Sequence, residues 1–228
     1  CQTPYSGTSQ GGRLQNRAGP AQWTRMSGLD AQTGGEATVI GPDSVRSGSV
    51  ELICGCMFSG KTTELLRRIR TFAPGEVAVI KHGRDDRYGT RRVVTHGQDS
   101  YPARVVRLAS EIPERVTDRH RIVAVDEGHF FDDGLPDVCD SLARRGHRVM
   151  VTALDLNSWG QPFAVIEGLK AVADDCLLTS AKCPQCGDPA TRTQRLTPIV
   201  GGKIVGGPEA FEPRCVKCWS PPPEPSVD

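Results

Sequence analysis

The sequence predicts an α/β protein in which helices cover both faces of a parallel sheet, joined to a small zinc-binding unit near the C-terminus. Three observations predict this fold class: a glycine-rich loop between an apolar run and a helical segment, further apolar runs alternating with helical segments, and two cysteine pairs at metal-ligand spacing. The 228 residues suit one domain with a small appended unit.

The charged residues nearly cancel, since 28 Lys and Arg stand against 27 Asp and Glu, for a formal net charge of +1. An extended nucleic-acid surface needs an excess of basic residues, so we expect no nucleic-acid partner. No apolar run approaches the about 20 residues of a membrane span, and the first residues contain no apolar segment of the signal-peptide type. We therefore expect no membrane partner.

Residues 1–48 are rich in Gly, Ser, Thr, Gln and Arg and contain few apolar residues. Such a composition buries too little apolar surface to fold, so we expect a disordered N-terminal extension. The composition changes at Gly48, after which runs of apolar residues begin, and a phosphate-loop domain is predicted over residues 49–178.

Residues 55–62 read Gly-Cys-Met-Phe-Ser-Gly-Lys-Thr and match the phosphate-loop pattern G-x-x-x-x-G-K-[ST] in full. A short apolar run precedes the loop and apolar residues at helical spacing follow it, as the motif requires; the alternative, a chance glycine turn before an ordinary helix, does not explain both flanks. The backbone amides are expected to surround the phosphates, with Lys61 at the β- and γ-phosphates and Thr62 on Mg²⁺. The predicted ATP-binding residues are Gly55, Cys56, Met57, Phe58, Ser59, Gly60, Lys61 and Thr62.

Apolar runs predict the strands, and segments with helical spacing predict the helices between them. The predicted strands are residues 50–54, 77–80, 122–125 and 149–153. The predicted helices are residues 61–72, 135–145 and 163–173, the second of them ended by Gly146. The polar stretch 81–101 is expected to form an irregular loop over the site.

The third apolar run ends in two acids, Asp126 and Glu127. In phosphate-loop enzymes such a strand lies beside the loop strand and its terminal acid binds Mg²⁺, so Asp126 is the candidate metal-side acid. Glu127 points differently and is the candidate general base, able to accept a proton from an attacking hydroxyl or water. The alternative is that both acids merely cap the next helix. Whether the attacking group is a hydroxyl, as in a kinase, or water, as in an ATPase, stays open at this point.

Two C-x-x-C pairs flank residues 187–214. Two such pairs can place four thiolates around one tetrahedral Zn²⁺ and leave no open position, which predicts a structural zinc site; a redox pair or stray cysteines are the alternatives. Zinc would order residues 179–219, which contain too few apolar residues for a core, and a loose tail is expected over residues 220–228. The predicted zinc ligands are Cys183, Cys186, Cys215 and Cys218.

The remaining cysteines are interpreted as free thiols, because a chain that uses ATP belongs in a reducing compartment. We therefore expect a cytoplasmic protein. These cysteines are Cys1, Cys54, Cys56, Cys139 and Cys176.

Further motifs stand between the phosphate loop and the second cysteine pair. They are Asp85-Asp86-Arg87-Tyr88, Thr95-His96, Asp126-Glu127-Gly128-His129-Phe130-Phe131, Ala153-Leu154-Asp155, Pro162-Phe163, Gly206-Gly207 and Phe211. With residues 55–65 and the cysteine pairs, they make residues 48–218 resemble the type II, or cytosolic-type, thymidine kinase family. Several motifs in the family's order are more specific than the phosphate loop alone.

The resemblance implies transfer of the γ-phosphoryl group of ATP to the 5′-hydroxyl group of thymidine, in nucleotide salvage for DNA synthesis. It also implies a RecA-like core, a zinc-held lasso of chain that closes over the nucleoside, and a homotetramer. An apolar slot for the 5-methyl group separates thymine from uracil by only about 1–3 kcal/mol, so deoxyuridine is also an expected substrate.

The resemblance also implies roles for individual residues. Glu127 matches the catalytic base, and Thr62 and Asp126 match the Mg²⁺ positions. Further residues implied on the ATP side are Asp85, Asp86, Arg87 and His129. Residues implied on the thymidine side are Phe130, Ser158, Gly202, Lys203, Ile204, Val205, Gly206 and Phe211.

The chain departs from the family's pattern at several positions. Cys56 stands where Pro is usual, and His129 stands where Gln is common. Ser158, with Trp159 beside it, stands where an aromatic residue is expected, and Phe211 replaces a Tyr of the lasso. A protein that binds nucleosides or nucleotides but turns over poorly is therefore one alternative function.

A second alternative is a phosphate-loop ATPase whose cysteine pairs bind nucleic acid. The C-terminal unit does contain Arg and Lys, but Asp188, Glu209 and Glu212 lie among them. It also lacks the interleaved aromatic residues that single-strand binding favours. We therefore interpret this unit as a solvated surface.

Overall fold

The computed structural model describes residues 46–85, 92–95, 97, 99–198 and 206–223. The disorder expected for residues 1–48 falls almost wholly outside these residues, as does most of the expected tail. Six candidate site residues also lie outside them: Asp86, Arg87, Gly202, Lys203, Ile204 and Val205.

The described residues form twelve strands and three α-helices. The strands are β1 (Ser49–Gly55), β2 (Val77–His82), β3 (Arg92–Val94), β4 (Ser100–Pro102), β5 (Arg104–Val106), β6 (Ile122–Asp126), β7 (Arg148–Ala153), β8 (Asp175–Thr179), β9 (Ala181–Lys182), β10 (Pro189–Ala190), β11 (Arg192–Arg195) and β12 (Phe211–Arg214). The helices are α1 (Lys61–Ile69), α2 (Leu135–Arg144) and α3 (Ala164–Val172).

The central sheet has six strands in the order β5-β2-β6-β7-β1-β8, and every pair in it is parallel. Successive residues of β6 face opposite sides. Val123 and Val125 pack into one core with residues of α2 and α3, whereas Ile122 and Ala124 pack into a second core with residues of α1. The predicted parallel sheet with helices on both faces is thus confirmed.

The helices are shorter than predicted by a few residues. After Ile69 the chain tightens into bonds of the 3₁₀ type, since the Phe72 amide donates to the Ile69 carbonyl, so α1 ends before residue 72. Gly146 adopts a left-handed φ of 93° just after α2, as the sequence predicts. Phe163 has extended backbone and is the residue before α3.

Two strands of the central sheet were not predicted, and both lie at its edges. β5 is three residues long, and β8 carries exposed residues such as Leu178, so neither reads as a buried apolar run. The stretch 81–101 was predicted to be irregular, but it contains the end of β2 and the antiparallel pair β3–β4. These strands were missed because they are short and partly exposed, so polar residues interrupt the apolar runs by which strands were predicted.

In the described part of the C-terminal unit, β9 pairs with β10 and β11 pairs with β12, and both pairs are antiparallel. Cys183 and Cys186 follow β9, and Cys215 and Cys218 follow β12. Within the described residues, no helix combines the length and apolar character needed to cross a membrane.

Candidate active site

A cavity of about 540 Å³ opens at the carboxyl ends of the central strands. Its walls come from the phosphate loop, the residues after β2 and β6, the segment between β7 and α3, and the C-terminal unit. In open parallel sheets, ligands bind at this edge. The sequence-predicted residues on its walls are Met57, Phe58, Gly60, Lys61, Thr62, Asp85, Asp126, Glu127, His129, Phe130, Ser158, Gly206 and Phe211.

Three predicted phosphate-loop residues, Gly55, Cys56 and Ser59, do not line this cavity and instead support the loop from behind. The Ser59 hydroxyl lies 2.7 Å from that of Thr179 and donates to the Cys56 carbonyl at 2.8 Å. The Cys56 thiol donates to the Ala190 carbonyl at 3.2 Å, so the loop is tied to β10. The neighbouring amide of Met57 donates to the Thr193 hydroxyl at 3.1 Å, which ties the loop to β11 as well.

The phosphate loop has an unusual backbone that its glycines permit. Gly60 has a φ of 86° directly before α1, and Phe58 has a φ of 64°, one of two such non-glycine values in the described residues. Gly55 has a φ of 150°, and a Cβ there would lie 2.4 Å from the Thr179 carbonyl oxygen. Glycine at this position is therefore needed for space as well as for conformation.

Replacing Gly55 with alanine is expected to lower the free energy of unfolding by about 1–3 kcal/mol and to weaken ATP binding, because the added methyl group pushes the loop away from β8. Gly75→Ala is the matched control, since a Cβ there meets nothing within 4 Å. Urea unfolding of both variants measures the difference. Equal stability of the two variants would contradict this account of the loop.

Lys61 is buried, and its Nζ donates to the Cys56 carbonyl at 2.6 Å. Burial lowers the pKa of Lys61, and the charge of Glu127 partly opposes this. A bound anion favours the charged form of such a lysine. Lys61 is thus placed inside the loop to interact with phosphate oxygens.

Two threonines hold Asp126 at the end of β6. Its Oδ1 accepts a hydrogen bond from Thr62 Oγ1 at 3.2 Å and another from Thr152 Oγ1. Thr152 Oγ1 also accepts from the Glu127 amide at 3.2 Å, so one hydroxyl positions both acids. Burial, helped by the charge of Glu127, raises the pKa of Asp126 to about 7. A cation beside Asp126 would stabilise its charged form.

Glu127 has a left-handed backbone, with φ 55° and ψ 48°, where β6 ends and the 3₁₀ turn Gly128–Phe130 begins. Strained non-glycine backbone of this kind is concentrated at functional sites. The turn is close to β7, because a Cβ on Gly128 would lie 2.7 Å from Val151 Cγ1. Glu127 lines the cavity with a side chain that is 15% exposed, and its Oε2 lies 3.4 Å from His129 Nδ1.

Aromatic rings form the other end of the cavity. The ring of His129 lies 4.3 Å from that of Phe130 and 5.1 Å from that of Phe163, and its Nδ1 accepts from the Leu154 amide at 3.2 Å. Phe211 enters from the C-terminal unit with the guanidinium group of Arg195 over its ring at 5.1 Å. The cavity therefore has an apolar, aromatic part, and Phe211 packs there against Met57 and Phe58 of the phosphate loop.

The loop that carries Ser158 is closed by Asn157. The Asn157 side chain accepts from the amides of Trp159 and Gln161, at 2.9 and 3.0 Å. Ser158 is buried and Trp159 lines the cavity beside it, so the aromatic group near this position is supplied by the next residue. Trp219 packs against Gly160, where a Cβ would lie 3.0 Å from its ring.

Asp85 forms an ion pair with Lys81 at 3.1 Å, and both side chains are buried. The Lys81 Nζ also donates to the Arg92 carbonyl at 3.3 Å, which ties the end of β2 to β3. Sequence reasoning missed Lys81 and Thr152 because both stand inside or beside apolar runs that read only as strands. Their roles depend on which strands lie side by side, and the sequence does not give that pairing.

The cysteine sulfurs of the C-terminal unit lie together. The four Sγ atoms all lie within 4.8 Å of one another; they belong to Cys183, Cys186, Cys215 and Cys218. Cys186 Sγ and Cys215 Sγ are 3.5 Å apart, too far for a disulfide and close to the about 3.8 Å that a tetrahedron of Zn–S bonds of about 2.3 Å requires. Four sulfur donors in this arrangement fit zinc.

A sequence model of the family described as thymidine kinase matches residues 48–219, most of the chain. Among solved structures, the ATPase DotB of Legionella pneumophila aligns with 64% of the chain at 14% identity and a TM-score of 0.39. The chain spans 45% of the length of that protein. A similarity this low carries no argument about function.

Proposed function

The chain belongs to the thymidine kinase family, and we propose that it transfers the γ-phosphoryl group of ATP to the 5′-hydroxyl group of thymidine. The product would be thymidine monophosphate, made by nucleotide salvage for DNA synthesis. One observation carries the proposal: the phosphate-loop lysine, the acid pair and the aromatic end converge on one cavity. Lys61 and the loop amides would bind the triphosphate, as in other phosphate-loop enzymes.

Mg²⁺ is implied by this chemistry, and the residues present fit it. The Thr62 hydroxyl and the Asp126 carboxylate are hard oxygen donors already within 3.2 Å of each other. Asp126 is buried with a raised pKa, so a neighbouring cation would offset the cost of its charge. When bound, Mg²⁺ neutralises charge that develops on the β- and γ-phosphates.

Glu127 is proposed as the general base. Its carboxylate lines the cavity between the phosphate loop and the aromatic end, so it can face the 5′-hydroxyl group of a nucleoside held there. The proton of the hydroxyl would pass to the carboxylate as the oxygen attacks the γ-phosphorus, and the bond from that phosphorus to the β–γ bridging oxygen would break to release ADP. The left-handed backbone of Glu127 supports this role, because it turns the side chain away from the direction of β6.

Thymine is proposed to bind at the aromatic end. The face of Phe130, together with Phe163 and Phe211, offers ring and apolar contacts of the size of a pyrimidine. Ser158 and Gly206 also line the cavity, and the lasso residues implied by the family would add backbone contacts to the base edge. Discrimination of a methyl group in such a slot is weak, so we propose deoxyuridine as a second substrate.

The four cysteines are proposed to hold a structural zinc ion that keeps the lasso over this end. The unit around them has a small core of Cys183, Ala190 and Cys215, which is too little apolar surface to order it without metal. By analogy with the family resemblance, we further propose a cytoplasmic homotetramer. Size-exclusion chromatography with light scattering measures the assembly.

The proposed reaction is tested with labelled ATP and Mg²⁺ offered to several acceptors. Labelled thymidine monophosphate should form with thymidine, a labelled monophosphate should form more slowly with deoxyuridine, and no product should form with 5′-deoxythymidine, which lacks the hydroxyl group. A further reaction contains single-stranded DNA in place of the nucleoside. ATP hydrolysis stimulated by DNA, without phosphorylation of thymidine, would instead support an ATPase with a nucleic-acid-binding zinc unit.

A further inference from the structure

A second cavity, of about 610 Å³, lies at the amino ends of strands β5 and β6, whereas the active site lies at the carboxyl ends of the central strands. It is lined at the start of β5 by Arg104 and, in the segment before β6, by Arg115, Thr117 and His120. Because β6 runs from this segment to the acid pair, its five residues separate the second cavity from the active site by about 16 Å. The second cavity is thus a separate place on the molecule.

His120 is 8% exposed, and hydrogen-bond donors approach both of its ring nitrogens. The Thr117 amide donates to Nδ1 at 2.9 Å, so Nδ1 must be unprotonated. The ring proton of a neutral imidazole then sits on Nε2. The guanidinium nitrogens of Arg104 lie 3.5 and 3.4 Å from that same Nε2.

The Arg104 guanidinium and Nε2 of His120 are therefore both donors, so they do not satisfy each other. Arg104 is exposed, whereas His120 is buried, so the Nε2 donor is the one that costs free energy unless an acceptor satisfies it. Burial, with the charges of Arg104 and His147, lowers the pKa of His120, in keeping with a neutral ring that carries its proton on Nε2. An oxygen atom beside the two groups, about 2.9 Å from each nitrogen, would accept from both.

The charges around the cavity favour an anion as the source of that oxygen. Arg104 and Arg115 bring two guanidinium groups, and Glu114 brings one carboxylate. Within the part of the chain that the structure describes, Glu114 makes no side-chain hydrogen bond or ion pair, and two guanidinium groups against one carboxylate leave the lining with a net positive charge. Planar guanidinium groups match the oxygens of phosphate, and phosphate offers enough acceptor oxygens for several donors at once.

We propose that this cavity, defined by Arg104, Arg115 and His120, binds the phosphate group of a small phosphorylated molecule. The phosphate oxygens would accept hydrogen bonds from Arg104 and from Nε2 of His120, with Arg115 balancing the remaining charge. A cavity of about 610 Å³ is larger than phosphate itself, so the rest of a sugar phosphate or a nucleotide also fits.

The test is calorimetric titration of the full chain with inorganic phosphate and with ribose 5-phosphate, after the phosphate loop has been filled with a non-hydrolysable ATP analogue and Mg²⁺. Saturable binding is expected for both probes, and the ester should bind more tightly because its sugar adds contacts to the cavity. In a nitrogen-detected NMR spectrum, the Nε2 signal of His120 should shift on the same titration curve.

Arg104→Gln and Arg115→Gln should each raise the phosphate dissociation constant at least tenfold. Arg119→Gln is the matched control, because it removes the same charge from an exposed residue of the same segment that does not line the cavity. The proposal is overturned if phosphate does not bind saturably with the loop filled, or if Arg119→Gln weakens binding as much as Arg104→Gln. Binding that leaves the His120 signal unmoved would also overturn it.

Discussion

Replacing Glu127 with glutamine is expected to lower kcat for thymidine phosphorylation by about 10²–10⁴-fold. Glutamine keeps the size and shape of the side chain but cannot accept the proton of the 5′-hydroxyl group. The backbone at position 127 should keep its conformation, because its amide donates to Thr152 Oγ1 and its carbonyl accepts from the Phe130 amide. The loss should therefore appear in turnover.

ATP affinity should be unchanged or slightly higher in Glu127→Gln. The charge of Glu127 raises the pKa of Asp126, so its removal makes the charged form of Asp126 easier to maintain beside a metal ion. Single-turnover kinetics and a separate measurement of nucleotide binding distinguish the two effects. Glu167→Gln, an exposed change on α3, is the control. If kcat of Glu127→Gln equals that of the unmodified protein, Glu127 is not the general base.

The parts of the fold that could be predicted from sequence are those encoded over a few neighbouring residues. The phosphate loop, the strand before it and the helix after it form one local unit, and the buried strands read as apolar runs because both of their faces are covered. The edge strands β5 and β8 are half exposed, so their residues lack that pattern. Local pattern therefore predicts the centre of the sheet better than its edges.

The parts of the site that could not be predicted depend on residues far apart in the chain. Thr152 reads as one residue of an apolar strand, yet it bonds to Asp126 and to the Glu127 amide because β7 lies beside β6. Likewise, no spacing rule indicates that Cys56 bonds to Ala190 or that Met57 bonds to Thr193. These contacts join the phosphate loop to the C-terminal unit and change what loss of the metal should do.

Replacing Cys183 with serine is expected to abolish stoichiometric zinc binding and to raise the KM for thymidine at least tenfold. Structural zinc of this type supplies on the order of 10–16 kcal/mol, and the unit has little apolar core to hold its strand pairs without it. Phe211 and Gly206 reach the nucleoside end of the cavity from this unit, so loss of its order removes one wall of the proposed thymidine site.

The same variant should also weaken ATP binding, although less than thymidine binding. Cys56 and Met57 of the phosphate loop each lose a hydrogen-bond partner if β10 and β11 become disordered, but Lys61, Thr62 and α1 are held by the central sheet. Cys176→Ser is the matched control, because Cys176 is an exposed thiol on β8 outside the cysteine cluster. Metal analysis of protein purified without added zinc, together with KM values for both substrates, tests the prediction. Unchanged zinc content would contradict the role of Cys183 as a zinc ligand. A KM for ATP that rises more than the KM for thymidine would show that the C-terminal unit supports the phosphate loop rather than the nucleoside.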